Sequence, residues 1–157
     1  MTVFLVTLFS TGFFVGYIPA ASGTFGAVLG CACWVLLSFR NPVFNPIAAT
    51  ACTGIGFLVS GYAERNVFKK RDDSRIVIDE ISGILITFLS FRFSPDTAGV
   101  VTLISGFVLF RALDILKPPP VGVLEKVGGA GGIMLDDIAA GMIANGILQC
   151  VRLLFFR

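Results

Sequence analysis

The chain has 157 residues, is 55% hydrophobic and only 14% charged, and carries a formal net charge of +2. A water-soluble domain of this size has too little interior to hide so much apolar surface, so a bilayer is the expected solvent, and so small a net charge gives no ground for a nucleic-acid partner. The absence of histidine excludes a histidine general base, a phosphohistidine intermediate and any zinc site built on imidazole.

Six apolar segments follow one another with helical spacing: Val3–Ile18, Phe25–Phe39, Val43–Ala63, Ile76–Phe91, Ala98–Leu116 and Ile133–Phe156. A spanning helix needs about 20 apolar residues, which the third, fifth and sixth supply. The first, second and fourth are short, and the first is a candidate for an interfacial or re-entrant piece. The reading is an all-α, polytopic membrane helical bundle of about six helices, some short or re-entrant, forming a single domain over residues 1–157. No charge precedes Arg40, so the basic flank of a secretory signal is absent and the first segment is expected to be retained. Gly12/Gly16 and Gly26/Gly30 have the small-x-x-x-small spacing that lets helices approach closely, read here as packing within the chain. Cys31, Cys33, Cys52 and Cys150 all lie in apolar runs without a C-x-x-C pair and are expected to be reduced and structural.

If every segment crosses, one side of the membrane (side B) receives residues 19–24, 64–75 and 117–132, and the other (side A) receives the N-terminus, residues 40–45, 92–97 and Arg157. Side B then holds Arg65, Lys69, Lys70, Arg71, Arg75, Lys117 and Lys126, against Arg40, Arg92, Arg152 and Arg157 on side A. That bias makes side B cytoplasmic by the positive-inside rule. Lys69-Lys70-Arg71 reads as a solvated juxtamembrane anchor to anionic lipid.

The acids obey the same alternation. Asp79-Glu80 opens the fourth segment, Asp114 closes the fifth and Asp136-Asp137 opens the sixth, so all five carboxylates converge on side B. Singly, each pair is explained by a helix dipole, and Arg111 with Asp114 by a structural ion pair. Together they form a repelling cluster whose simplest rescue at neutral pH is a divalent cation. Oxygen ligands without histidine or thiolate favour Mg²⁺ or Mn²⁺ over zinc. Arg111, Asp114 and Lys117 recur at i, i+3 and i+6 on one helical face, and an Arg fork with a Lys point charge beside a metal suggests a phosphate oxyanion as guest. Pro118-Pro119-Pro120 then stops the helix. The glycine run Gly128–Gly132, with Ala130 inside it, reads as a mobile loop.

These stretches resemble the phosphatidylglycerophosphatase A family of bacterial membrane lipid phosphatases. The matches are Ser22-Gly-Thr-Phe-Gly26, Ile76-Val-Ile-Asp-Glu80, Phe107-Val-Leu-Phe-Arg-Ala-Leu-Asp-Ile-Leu-Lys-Pro118 and Gly132-Ile-Met-Leu-Asp-Asp-Ile-Ala-Ala-Gly141, spread over nearly the whole chain. The resemblance implies Mg²⁺-dependent hydrolysis of phosphatidylglycerophosphate to phosphatidylglycerol and phosphate, with one or two Mg²⁺ at the cytoplasmic face of the inner membrane. It places Asp79, Glu80, Asp114, Asp136 and Asp137 as catalytic metal ligands, Arg111 and Lys117 as substrate-binding groups, and Thr24 in either catalysis or substrate binding. The expected partner is a membrane phospholipid, with no obligate protein partner. Ser22 replaces the family's proline before Gly-Thr, which is expected to loosen that turn, and Gly128 stands where a histidine is frequent.

Two other classes fit the composition. A small cation or proton transporter would line its path with the same acids. A CDP-alcohol phosphatidyltransferase would need an Asp-Gly-x-x-Ala-Arg signature, which the chain lacks, as it lacks Cys-x5-Arg and Asp-x-Asp.

Overall fold

The computed structural model describes residues 2–155 as an all-helical chain without strands among them; Phe156 and Arg157, placed by the sequence at the end of the sixth segment, lie outside the described residues. The α-helices are α1 (Val3–Ser10), α2 (Ser22–Arg40), α3 (Phe44–Tyr62, continued by a π-helical turn Ala63–Phe68), α4 (Ile78–Thr87), α5 (Thr97–Leu116), α6 (Val121–Leu124) and α7 (Gly129–Phe155). Four stretches are long and apolar enough to cross a bilayer: Ser22–Arg40, Phe44–Phe68, Thr97–Leu116 and Gly129–Leu154.

Two of the six expected segments are therefore not spanning helices. The first stops at Ser10 because Gly12, Phe13 and Phe14 all take positive φ, which turns the chain. Eight residues reach only about 12 Å, less than half a hydrocarbon core. Rather than putting the N-terminal segment across to side A, the fold keeps α1 at the side B end of α3. Val6 packs there with Val59, Ile76 and Met134, and the Ser10 carbonyl accepts the Val77 N–H at 2.9 Å.

The fourth segment is the other exception, and α2, α3, α5 and α7 are arranged around it. Nine of the ten residues of α4 are buried, which makes it the centre of the bundle although it is only about 15 Å long. A short helix enclosed in apolar surroundings must satisfy its last carbonyls from other elements. Asn45 at the start of α3 donates its amide to the carbonyls of Leu85 (3.2 Å) and Phe88 (3.1 Å), and Asn145 of α7 donates to that of Thr87 (2.8 Å). Trp34 stacks on Phe88 at 4.0 Å and donates its indole N–H to the Phe91 carbonyl, so the chain leaves α4 along the far half of α2.

The glycines read as packing sites are packing sites. A Cβ on Gly26 would sit 2.8 Å from Val77 Cβ, one on Gly30 3.0 Å from Ile84, and one on Gly12 2.8 Å from Ile81. All three contacts lie against the entry and first turns of α4. Gly141 of α7 likewise leaves no room for a side chain, because a Cβ there would collide with the Gly83 carbonyl. The glycine run after Val127 is less of a loop than expected, since α7 begins at Gly129, four residues before the predicted start, with Gly132 N donating to the Gly128 carbonyl.

Candidate metal and phosphate site

The site forms where four helix ends meet. The segment before α4 is fixed first. Asp73 accepts the Arg75 backbone N–H (3.1 Å) and both guanidinium contacts (2.7 and 2.9 Å), while Arg75 lies 4.1 Å over the Phe68 ring. Those hydrogen bonds from Arg75 hold the Asp73 carboxyl below its ordinary pKa. Ser22 at the start of α2 donates its hydroxyl to the Ser74 carbonyl. The turn expected to be loosened by Ser22 is instead pinned by it, since a serine hydroxyl supplies a tether that proline cannot. This clamp delivers Asp79 and Glu80 into the bundle on the first turn of α4.

Asp137, on the third turn of α7, faces them. Asp79, Glu80 and Asp137 can each offer one carboxylate oxygen such that the three lie within 4.8 Å of one another. Asp79 and Asp137 are buried and Glu80 nearly so. The other two predicted ligands stand beside this trio with cations already attached. Asp114 pairs with Arg111, which also approaches Glu80 Oε1 at 4.0 Å. Asp136 pairs with Lys117 at 2.8 Å and accepts the Asp137 backbone N–H at 3.0 Å.

Lys117 does not share a helical face with Arg111 and Asp114 as the i, i+3, i+6 spacing predicts. The helix ends at Leu116 and Lys117 takes a left-handed φ of 45°, which swings its side chain toward α7. There it bridges Asp136 and Glu125 (3.0 Å). Burial pulls the ammonium pKa down, but the hydrogen bonds to Asp136 and Glu125 outweigh it, and the net direction is up. Thr24 sits on the first turn of α2, and among the described residues its hydroxyl donates to none of the acids. Its neighbour Gly23 is the close one, since a Cβ there would run into Glu80 Oε1 and lie 3.3 Å from Arg111 Nη1.

Whether this arrangement suits a cation can be judged from its unpaired atoms. Six buried side-chain polar atoms lack a hydrogen-bond partner among the described residues, and three of them are here: Glu80 Oε2, Asp137 Oδ1 and Arg111 Nε. Buried polar groups normally find partners, so three orphans at one place point to a missing guest. Two carboxylate oxygens want a cation, and one guanidinium N–H wants an acceptor. A hard divalent ion carrying a phosphate supplies both.

Sequence reasoning missed Glu125 and Gly23 as members of the site. Glu125 follows Lys117 by eight residues in a segment without periodicity, so nothing in the sequence signals the pairing. Gly23 lay inside a matched stretch, but only the approach of Glu80 shows why it has no side chain.

A family model described as Phosphatidylglycerophosphatase A matches residues 8–152. A Bacteroides thetaiotaomicron protein provisionally named a phosphatidylinositol-3-phosphatase is 36% identical over 153 residues, 95% of this chain and 94% of that protein. Phosphatidylglycerophosphatase A of Escherichia coli K12 is 32% identical over 145 residues, 92% of this chain and 81% of that protein, and its Haemophilus influenzae counterpart is 30% identical over 149 residues, 94% and 88%. No solved structure matches the chain.

Proposed function

The chain belongs to the phosphatidylglycerophosphatase A family, and we propose that, as a single membrane-embedded phosphatase domain, it removes the terminal phosphate of phosphatidylglycerophosphate. The products are phosphatidylglycerol and inorganic phosphate. The observation that carries the reading is the set of unpartnered atoms at the junction of α4, α5 and α7: two carboxylate oxygens and one guanidinium N–H, all buried.

Asp79, Glu80 and Asp137 would hold one or two Mg²⁺, with Asp114 and Asp136 completing the acidic shell. When bound there, the ion supplies Lewis acidity toward a phosphoryl oxygen and lowers the pKa of a water. Arg111 presents its free Nε–H to the phosphoryl group while Nη1 stays on Asp114, so the fork is aimed before substrate arrives. Lys117, steadied by Asp136 and Glu125, contributes a second positive charge from the α7 side. Such donors act where charge builds in the transition state, and losing one costs about 3 kcal/mol. Thr24, on the turn that abuts Glu80, offers a hydroxyl at the mouth. Hydrolysis adds a water oxygen to phosphorus, breaks the bond to the glycerol oxygen and returns a proton to that oxygen.

The depth fits a lipid headgroup. The acids lie about 10 Å along α7 from its first residue, and α2 and α5 begin and end at the same level, so the acyl chains remain in lipid while the headgroup enters. With α1 kept on side B, that side holds six cations outside the spans (Lys69, Lys70, Arg71, Arg75, Lys117 and Lys126), with Arg65 in the last turn of one, against Arg40, Arg92 and Arg152 at the other ends, a bias that supports a site facing the cytoplasm of a bacterial inner membrane.

The Bacteroides relative favours a second reading, in which the phosphomonoester sits on phosphatidylinositol 3-phosphate. Phosphate release from defined lipids in detergent, with Mg²⁺ and with chelator, tests both. Phosphatidylglycerophosphate should be cleaved fastest and only with the metal. Release unaffected by chelator, or confined to the phosphoinositide, would overturn the corresponding part.

A further inference from the structure

The cations of side B divide into two sets. Arg75, Arg111 and Lys117 are all ion-paired, to Asp73, to Asp114 and to Asp136 with Glu125. Arg65, Lys69, Lys70, Arg71 and Lys126 make no salt bridge among the described residues. These five line one open groove of about 780 Å³ together with Glu64, whose carboxylate already accepts the Asp72 backbone N–H at 3.0 Å. Five positive charges thus face a single carboxylate that has its own partner. The solvated juxtamembrane anchor to anionic lipid expected of Lys69-Lys70-Arg71 is joined here by Lys126, 55 residues after Arg71, in a groove that the sequence did not indicate.

The position of the groove identifies the anion. One stretch of its lining, Glu64 to Arg71, straddles the end of the candidate span at Phe68, and the other, Lys126 to Gly129, ends where the last candidate span starts. Both stretches are therefore span ends, at the depth where a bilayer displays its phosphates. Arg71 projects across to the Gly128 backbone, its Nη2 only 3.7 Å from where a Cβ would stand, so Gly128 leaves space beside a guanidinium. The groove shares Glu64, Arg71 and Lys126 with a smaller cavity of about 250 Å³ that continues past Asp72 to Glu125, and Glu125 holds Lys117 of the acidic site. Through Glu125, the smaller cavity adjoins that site.

We propose that this groove is a second phosphate site, which binds the phosphodiester of an anionic lipid headgroup at the entrance to the acidic centre. Two sources share that chemistry: the diester of the substrate lipid itself, or that of a neighbouring lipid. The first rests on the phosphatase reading; the second does not.

The full chain and its Lys70→Gln/Arg71→Gln variant, both positions being exposed, decide the matter in three measurements, with Arg40→Gln as a control at the opposite end of α2. Purified from nanodiscs of phosphatidylglycerol and phosphatidylcholine, the wild type should retain phosphatidylglycerol selectively and the double variant should lose that selectivity. The substrate's own diester is the occupant if the variant raises KM about tenfold for phosphatidylglycerophosphate relative to an alkyl phosphate, an effect shrinking in high salt. A neighbouring lipid is the occupant if phosphatidylglycerol added to phosphatidylcholine vesicles stimulates alkyl phosphate hydrolysis by the wild type and not by the variant. Equal lipid retention with unchanged KM ratios and equal stimulation would overturn the proposal. A wild type that releases no phosphate from any lipid defeats the phosphatase reading, and the retention measurement then decides the groove alone.

Discussion

Asp137→Asn should make the metal-free protein more stable and the enzyme inactive, and the opposite signs are the point of the prediction. Oxygens of Asp79, Glu80 and Asp137 lie within 4.8 Å of one another. At that separation two full charges repel by about 3 kcal/mol for an effective dielectric near 20. Neutralising Asp137 removes two of the three repulsions and sacrifices no hydrogen bond of its Oδ1, which has none. Arg111 and Lys117 already offset much of the strain, so a net gain of about 1–2 kcal/mol is expected, a rise of roughly 3–6 °C in Tm for a chain of this size. Saturating Mg²⁺ should reverse the order. The wild type gains about 2.7 kcal/mol at a metal concentration a hundred times Kd, while a variant lacking one ligand gains little. Thermal unfolding in detergent with EDTA and with Mg²⁺, beside phosphate release, measures all of this. An EDTA-treated variant less stable than wild type, with an undiminished Mg²⁺ shift, would refute the idea that these carboxylates form a cation site.

Arg111→Lys should lower kcat/KM about a hundredfold in steady-state phosphate release, because an ammonium cannot hold Asp114 and present a second N–H at once. Asn45→Leu should cost about 2–4 kcal/mol in unfolding assays by stripping the donor from the Leu85 and Phe88 carbonyls inside the bundle, with kcat retained in the folded fraction. Lys117 has a pKa above its ordinary 10.5, so its contribution is complete below that value and is lost only as pH climbs through the higher folded value. Its charge should therefore not shape activity between pH 8 and about 10: Lys117→Arg should keep the wild-type profile there, whereas Lys117→Gln should depress it throughout. A profile flattened by Lys117→Arg would contradict this.

The fold was legible wherever apolar periodicity ran long. Segments two, three, five and six emerge as α2, α3, α5 and α7, displaced by a few residues at their ends. It was illegible where local backbone conformation decided the outcome. Nothing in the apolar composition of Val3–Ile18 announces that Gly12, Phe13 and Phe14 adopt positive φ and end the helix at Ser10. Likewise the fourth segment carries enough apolar residues to invite a span, yet its helix closes at Thr87 because Asn45 and Asn145, from elements far away in the chain, take up its carbonyls.

The sequence alone determined the chemistry on offer: no imidazole, acids at the ends of apolar segments, and Arg and Lys beside one of them. Alternation across a bilayer is enough to bring such ends to one face, since each crossing reverses direction and tolerates errors of a few residues at every boundary. The division of labour among the five acids was decided only in three dimensions. Asp79, Glu80 and Asp137 form the close trio, while Asp114 and Asp136 are occupied by Arg111 and Lys117. That sorting depends on side-chain directions set by a left-handed Lys117 and by the glycine contacts between α4 and α7. Such directions change over single ångströms, a scale to which hydrophobic periodicity is blind.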